Sequence, residues 1–207
     1  MIRIILTRHG ETEWNLAGRV QGRLDSPLTG KGVNQARALA AKLRAENINL
    51  IYSSDAPRAL ATATEIQQAL GINAPIRPVP DLREFSFGEW EGQVWSDLRE
   101  QFPEVFAVWD TKPHAVTIPG GESMQLVVDR VWRFFQHMLP NHPEQTLCIV
   151  THGLTLKLLV GRAFGFGVHQ WAETPWQFNT ALNILNWDGR KFQAEILGDC
   201  SHLDGIS

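Results

Sequence analysis

Two histidines in this chain are each preceded by an apolar run and followed by glycine. Ile2, Ile4, Ile5 and Leu6, interrupted only by Arg3, lead into Thr7-Arg8-His9-Gly10; Leu147-Cys148-Ile149-Val150 lead into Thr151-His152-Gly153. Each run reads as a buried strand, and in open α/β sheets the carboxyl ends of the strands are where ligands bind. A third cation, Arg58, falls in the first turn of an expected helix, where backbone N–H groups already favour an anion. The stretch Leu82 to Gly92 adds Glu84, Glu89 and Glu91 among Phe85, Phe87 and Trp90. Apolar surroundings of that kind raise a carboxyl pKa and suit it to proton donation, although the sequence does not choose among the three glutamates.

Two imidazoles, two guanidiniums and a carboxyl point to phosphoryl transfer. Arginine pairs bidentately with phosphate oxygens and stays charged. A neutral imidazole can attack phosphorus and carry the phosphoryl group, splitting one displacement into two. Arg8 and Arg58 disfavour protonation of His9 and so keep it nucleophilic, while His152 can donate to an equatorial oxygen. A carboxylic acid then protonates the leaving alkoxide and later deprotonates a water. Metal-assisted hydrolysis is the rival chemistry, but there is no His-Glu-Xaa-Xaa-His pattern, no Asp-Xaa-His pair and no cysteine pair. Two arginines beside a metal would add like charge. No metal and no cofactor are expected.

Length and composition bound the rest. At 207 residues, one α/β domain is expected. A net charge of -3 argues against a general nucleic-acid binder, and no apolar run approaches the ~20 residues of a membrane helix. Cys148 reads as a small core residue, and the two cysteines make no disulfide framework. No signal-peptide pattern opens the chain, so a cytoplasmic protein is expected.

The elements that must position these residues can be read in order. Glu11 to Pro27 reads as a long polar loop in which Asn15, Arg19, Gln21 and Arg23 could present donors to an anion. Thr29 caps a helix with a stripe of Val33, Ala36, Leu39, Ala40 and Leu43. Leu50 to Ser54 reads as a strand, followed by a helix from about Ala56 to Leu70 that Gly71 stops. Pro75 to Pro80 reads as a proline-punctuated connection. Ser96 to Asp110 is helical with a break at Pro103, and further helices span Met124 to Met138 and Gly153 to Phe164. Trp171 to Phe178 reads as irregular, and two strands join around Asp188-Gly189 as a hairpin.

In this order and spacing, the residues resemble the histidine phosphatase superfamily, also called phosphoglycerate-mutase-like. The likeness runs through Arg8-His9-Gly10-Glu11-Thr12, Asn15, Gln21, Asp25 to Thr29, Ser53-Ser54, Arg58, Glu84, Gly120 to Ser123 and Thr151-His152-Gly153. It implies a three-layer α/β/α sandwich with a mostly parallel central sheet. Residues 1–207 would form a single domain, with a small helical cap inserted at about 85–122. It also implies His9 as the phosphohistidine nucleophile, with Arg8, Arg58 and His152 as the phosphate pocket. Glu84 would be the general acid and base, and Asn15 and Gln21 would line the pocket. His114 and His202 are candidates for a cap over the substrate, whereas His137, His142 and His169 match no motif.

Among activities in that family, a phosphatase is expected over a mutase. Glu91-Gly92 leads to Gln93-Val94-Trp95 without the Asn-Lys pair of phosphoglycerate mutases, and no lysine follows until Lys112. Lys112-Pro113-His114 and the Ser201-His202-Leu203 tail resemble the phosphoserine phosphatase branch. Alternatives, in order, are an α-ribazole or broad-specificity phosphatase, a phosphoglycerate mutase and a non-catalytic phosphate-binding module. Retention of both His9 and Glu84 counts against the last. The expected partner is a small phosphomonoester, with no nucleic acid and no membrane, and a monomer or homodimer.

Overall fold

A computed structural model describes residues 1–206. In chain order the elements are β1 (Ile2–Arg8), the one-turn helix α1 (Glu13–Leu16), α2 (Gly30–Lys42), β2 (Ile48–Ser54), α3 (Pro57–Leu70), β3 (Ile76–Val79), α4 (Trp95–Gln101) and α5 (Pro103–Trp109). They continue with α6 (Met124–Met138), β4 (Thr146–Thr151), α7 (Gly153–Ala163), β5 (Leu182–Trp187) and β6 (Phe192–Asp199). The six strands form one sheet in the order β3-β2-β4-β1-β5-β6. β1 to β4 pair in parallel, and β5 runs antiparallel to both of its neighbours.

Both faces of the central strands are covered, which explains why β1 and β4 are apolar almost throughout. Ile4, Leu6, Leu147 and Ile149 pack on one face with Val127, Val131 and Phe135 of α6 and Leu156 and Leu159 of α7. Ile5, Cys148 and Val150 pack on the other with Ala36 and Leu39 of α2 and Ala59, Ala63 and Ile66 of α3. Helices therefore lie on both sides of a mostly parallel sheet, as expected. Cys148 is a core residue, and burial pushes its thiol up to about 12. Residues 85–122, carrying α4 and α5, form an aromatic subcluster in which Trp90 stacks on Phe106 at 5.1 Å.

Two local expectations need correction. The polar stretch after β1 is not wholly loop. Thr12 and Asn15 form a reciprocal capping box that starts α1. The Pro75 to Pro80 connection contains β3, which pairs with β2 from Ile76 to Val79. β3 is an edge strand, so Pro78 costs the ladder nothing on its open side.

Helix starts aim the site. Thr29 Oγ1 accepts the Gly32 N–H at 2.9 Å and begins α2. α3 has Pro57 in its first turn, no side-chain cap at Ala56, and Gly71 at its end with φ of 64°. Its missing cap comes from elsewhere in the chain, because Asp25 accepts the Arg58 N–H at 3.3 Å. α7 is treated similarly by Glu84, as described below.

The turn after β1 meets the start of α2 backbone to backbone. A Cβ on Gly32 would lie 2.0 Å from the Glu11 carbonyl oxygen, and one on Gly10 would lie 2.4 Å from that of Gly32. Neither atom can move without dragging the loop behind His9. Gly32→Ala is therefore expected to destabilise the fold by about 3 kcal/mol in urea titration. Gly30→Ala, where a Cβ meets nothing within 4 Å, is expected to be neutral or stabilising by about 0.5 kcal/mol.

Candidate active site

Pairing of β1 with β4 brings the two His-Gly endings together. Arg8 lies opposite Thr151, and the next N–H, that of His9, donates to the Thr151 carbonyl at 2.9 Å. The His9 and His152 rings meet edge-on with centroids 5.2 Å apart.

His9 is held from several directions and is 2% exposed. Its carbonyl accepts from Asn179 Nδ2 at 3.0 Å, and the Gly10 N–H donates to Thr62 Oγ1 at 3.0 Å. Its Nδ1 lies 2.8 Å from the Gly10 carbonyl. A carbonyl only accepts, so Nδ1 carries the proton and Nε2 presents a lone pair. Arg58 Nε donates to that lone pair at 3.3 Å.

Arg58, also 2% exposed, is fixed by the loop expected to present donors. One terminal nitrogen donates to the Leu24 carbonyl at 2.7 Å and to Asp25 at 2.8 Å, and the other donates to the Gly22 carbonyl at 2.9 Å. Arg8 donates from Nη1 to the Gln177 carbonyl at 3.1 Å, and its Nε finds no partner among the described residues. Burial lowers Arg8 to about 10, with Glu84 opposing the shift and Arg58 adding to it, so the guanidinium is still charged at neutral pH.

His152 is fully buried. Its Nε2 is 2.8 Å from Ser54 Oγ, which also accepts the Ala56 N–H at 3.3 Å. The Ser54 hydroxyl proton has no other acceptor among the described residues, so it points to His152, and the neutral ring carries its own proton on Nδ1. That Nδ1 has no partner among the described residues. Desolvation, then the charge of Arg58, then the other site groups hold both imidazoles well below the usual 6.5.

Of the three glutamates left open by the sequence, only Glu84 lines the cavity. Glu91 accepts from the Arg23 and Phe87 N–H groups, and Glu89 is exposed. The apolar nest expected around the carboxyl is not what surrounds it. Glu84 accepts the N–H groups of Phe85, Leu154 and Thr155 and the Thr155 hydroxyl, at 2.9 to 3.2 Å. It thus caps α7, whose own N-cap residue, His152, makes no side-chain cap. Phe85 and Trp90 turn inward into the core instead.

Asn15 and Gln21 line the cavity. Asn15 Oδ1 accepts from Thr12 N and Asn179 Nδ2, and Gln21 Nε2 donates to Thr12 Oγ1 at 2.8 Å. His114 and His202, the candidates for a cap, are not among the residues that line it. The turn Pro113–Ala115 packs against the turn Val168–Glu173. His202 bonds Thr180 Oγ1 at 3.1 Å, in a tail that Lys42 ties to α2 through Asp199 and Ser201. Asn179, which braces the His9 carbonyl, was missed. Its stretch has no periodic pattern, and only the tertiary fold reveals it.

The cavity as a whole is about 250 Å³, and Phe87, Trp95, Trp109, Trp171 and Trp176 also wall it. Arg19 and Arg99 stand at its margin. Arg99 is paired bidentately with Asp110 at 2.8 Å, and Arg19 donates to the Gly92 carbonyl at 2.8 Å. No group of three His, Cys, Asp or Glu side chains among the described residues is placed to hold a metal ion.

Comparison with known proteins agrees with this geometry. Phosphoserine phosphatase 1 of Hydrogenobacter thermophilus is 33% identical over 92% of this chain and 89% of its own length. A probable phosphoglycerate mutase, GpmB, of Salmonella choleraesuis is 34% identical over 99% of this chain and 96% of its own. The solved structure of Bacillus stearothermophilus YhfR superposes with a TM-score of 0.92 at 35% identity, covering 98% of this chain and 100% of that one. The family model of the histidine phosphatase superfamily, branch 1, matches residues 4–199, and the chain belongs to that superfamily.

Proposed function

We propose that the protein hydrolyses small phosphomonoesters through a phosphohistidine on His9, without a metal. One observation carries this reading. A neutral imidazole whose unprotonated Nε2 accepts only from Arg58 Nε lies beside two buried donors, Arg8 Nε and His152 Nδ1, that have no acceptor among the described residues. Each such orphan costs about 1–3 kcal/mol, a cost that a bound phosphoryl group would remove.

The chemistry follows from those atoms. An ester phosphate sits among Arg8, Arg58 and His152, and Arg58 Nε–H turns from His9 to a phosphoryl oxygen. His9 Nε2 attacks phosphorus as the P–O bond to the leaving group breaks. Glu84 gives its proton to the departing alkoxide. A water then enters, Glu84 takes a proton from it, and attack on phosphorus breaks the P–N bond. Phosphate leaves and His9 is neutral again. The fixed donors act where charge gathers, with no reorganisation at the moment of reaction. The positive charge of Arg8 and Arg58 supplies what a metal would otherwise supply.

Relatives of nearly equal identity carry phosphatase and mutase names, so identity does not choose the substrate. Phosphoserine is the first substrate to test, on the name of the relative from Hydrogenobacter thermophilus. The sequence features that pointed to it, the Lys112-Pro113-His114 turn and the tail, lie away from the cavity. In the presence of EDTA, phosphate release from a panel of phosphoserine, 3-phosphoglycerate, α-ribazole phosphate and an aryl phosphate is expected to persist. It should fall by roughly three orders of magnitude or more in His9→Ala, and a labelled phosphoenzyme should be trapped by alkaline quench in wild type only. Loss of release in EDTA alone would refute the metal-free reading.

The depressed imidazoles also fix a pH dependence of stability. Above about pH 6.5 His9 and His152 are neutral both folded and unfolded. Below it the unfolded chain protonates them and the folded one does not, so stability falls as pH falls. Between about pH 6.5 and 5, His9→Gln is expected to flatten this slope by about 1.4 kcal/mol per pH unit, measured by urea titration. An unchanged slope would mean that His9 is protonated in the native state.

A further inference from the structure

Gly120-Gly121-Glu122-Ser123 takes part in the sequence likeness, yet none of its residues lines the cavity. Ser123 ends the turn and begins α6, its Oγ accepting the Leu126 N–H at 3.2 Å. A Cβ on Gly121 would lie 2.8 Å from the Ser86 carbonyl oxygen, so glycine there lets the turn meet the chain just after Glu84. Glu122 closes that contact from both ends. Its N–H donates to the Ser86 carbonyl and its carboxylate accepts the Ser86 N–H, both at 2.9 Å. The same carboxylate holds Arg130 of α6, which donates from Nε and Nη2 at 3.2 Å and whose side chain is 12% exposed. Arg130 also donates to the Asp81 carbonyl at 2.6 Å and to the Glu84 carbonyl at 3.0 Å. Together the pair grips the main chain before the acid, at it and after it.

The grip reaches the phosphate end through Arg23. Its Nη2 pairs with Glu122 at 3.0 Å, and its backbone lies between Gly22 and Leu24, whose carbonyls hold Arg58. Glu91 repeats the link, accepting the Arg23 N–H at 3.1 Å, the Phe87 N–H at 2.9 Å and the Ser86 hydroxyl at 3.2 Å. An exposed ion pair alone contributes little, but one carboxylate shared by two guanidiniums and a peptide N–H forms a network. Such a network has a task here. Glu84 follows the short edge strand β3, which pairs with β2 alone, so the ladder places it less firmly than it places His9. A proton donor has to lie within hydrogen-bond reach of the departing oxygen, and an error of about 1 Å can cost ~100-fold in rate. We propose that Glu122 is a positioning residue which, through Arg130 and Arg23, sets the distance between the general acid Glu84 and the phosphate held by Arg58. This deepens the phosphohistidine reading and rests on it for the role of Glu84.

Leaving groups of graded basicity separate placement of the acid from support of the fold. Values of kcat/KM, which cover the steps up to departure of the alcohol, would be measured for phenyl, 4-nitrophenyl and 2,4-dinitrophenyl phosphate. A dinitrophenolate leaves without a proton, whereas a phenolate needs one. Glu84→Gln is expected to cost the phenyl ester about 100-fold and the dinitrophenyl ester no more than about threefold. Glu122→Gln, which keeps the size of the side chain and removes its charge, should cost the phenyl ester about tenfold and the dinitrophenyl ester no more than about twofold. Should Glu122→Gln not fold, as judged by circular dichroism, Arg23→Met takes its place, with a phenyl loss of about threefold. An equal loss on every ester would mean that Glu122 supports the pocket or the fold, and no loss would mean that it has no part; either overturns the proposal. A phenyl loss that disappears at lower pH would show that Glu122 tunes the proton affinity of Glu84 rather than its place, which overturns it too. A graded loss in Glu84→Gln with a flat response in Glu122→Gln sinks the positioning role alone. A flat response in Glu84→Gln, or no release by wild type, sinks the reading of Glu84 as the acid and the proposal with it.

Discussion

The alignment of β1 with β4 is the constraint on which the site depends. Parallel pairing sets Arg8 beside Thr151, and the ladder continues one bond further through the His9 N–H. A slip of one residue would turn Ile4, Leu6, Leu147 and Ile149 from one core to the other, so the packing of two helical layers enforces the register. The separation of the two imidazoles is therefore a property of the whole core rather than of local loops.

A second theme is that the site's polar groups also complete the fold. Asp25 caps α3 and pairs with Arg58, and Glu84 caps α7. Neither helix has a side-chain cap of its own. The first turns of both helices are thereby tied to the loops that carry the chemistry. Three carbonyls and carboxylates fix the Arg58 guanidinium in place before any anion arrives, and the buried donors of Arg8 and His152 are left over. Order is supplied by folding, so binding need not supply it.

Much of this was legible in the sequence because it depends on short-range signals. The apolar runs into His9 and His152, the Thr29 cap, the Pro57 start and the Gly71 stop all act within a few residues. What was hidden depends on partners far along the chain. The polar setting of Glu84 comes from α7, some 70 residues away in sequence. Asn179 braces His9 from 170 residues away. α1 is a single turn in a polar stretch, with only its capping box to announce it, and β3 is disguised by a proline that an edge strand tolerates. His114 and His202, cap candidates on resemblance, do not line the cavity.

The two walls of the cavity are built on different footings. Phe87, Trp95 and Trp109 come from a stretch whose backbone is tied to the loop after β1: the Val20 N–H donates to the Gln93 carbonyl, the Gly92 N–H to the Val20 carbonyl and the Trp95 N–H to the Gly18 carbonyl. Trp171 and Trp176 come from a segment that goes on directly to Gln177, which holds Arg8, and to Asn179, which holds His9. Thr180, which closes that segment, sits at φ 54°, a conformation that a β-branched residue rarely adopts. A change of length in the first stretch is felt by the loop that holds Arg58, whereas one between 171 and 180 is felt by the backbone of the nucleophile itself. Diversification of this scaffold, by selection or in the laboratory, is thus tethered to the phosphate pocket on one side of the cavity and to the nucleophile on the other.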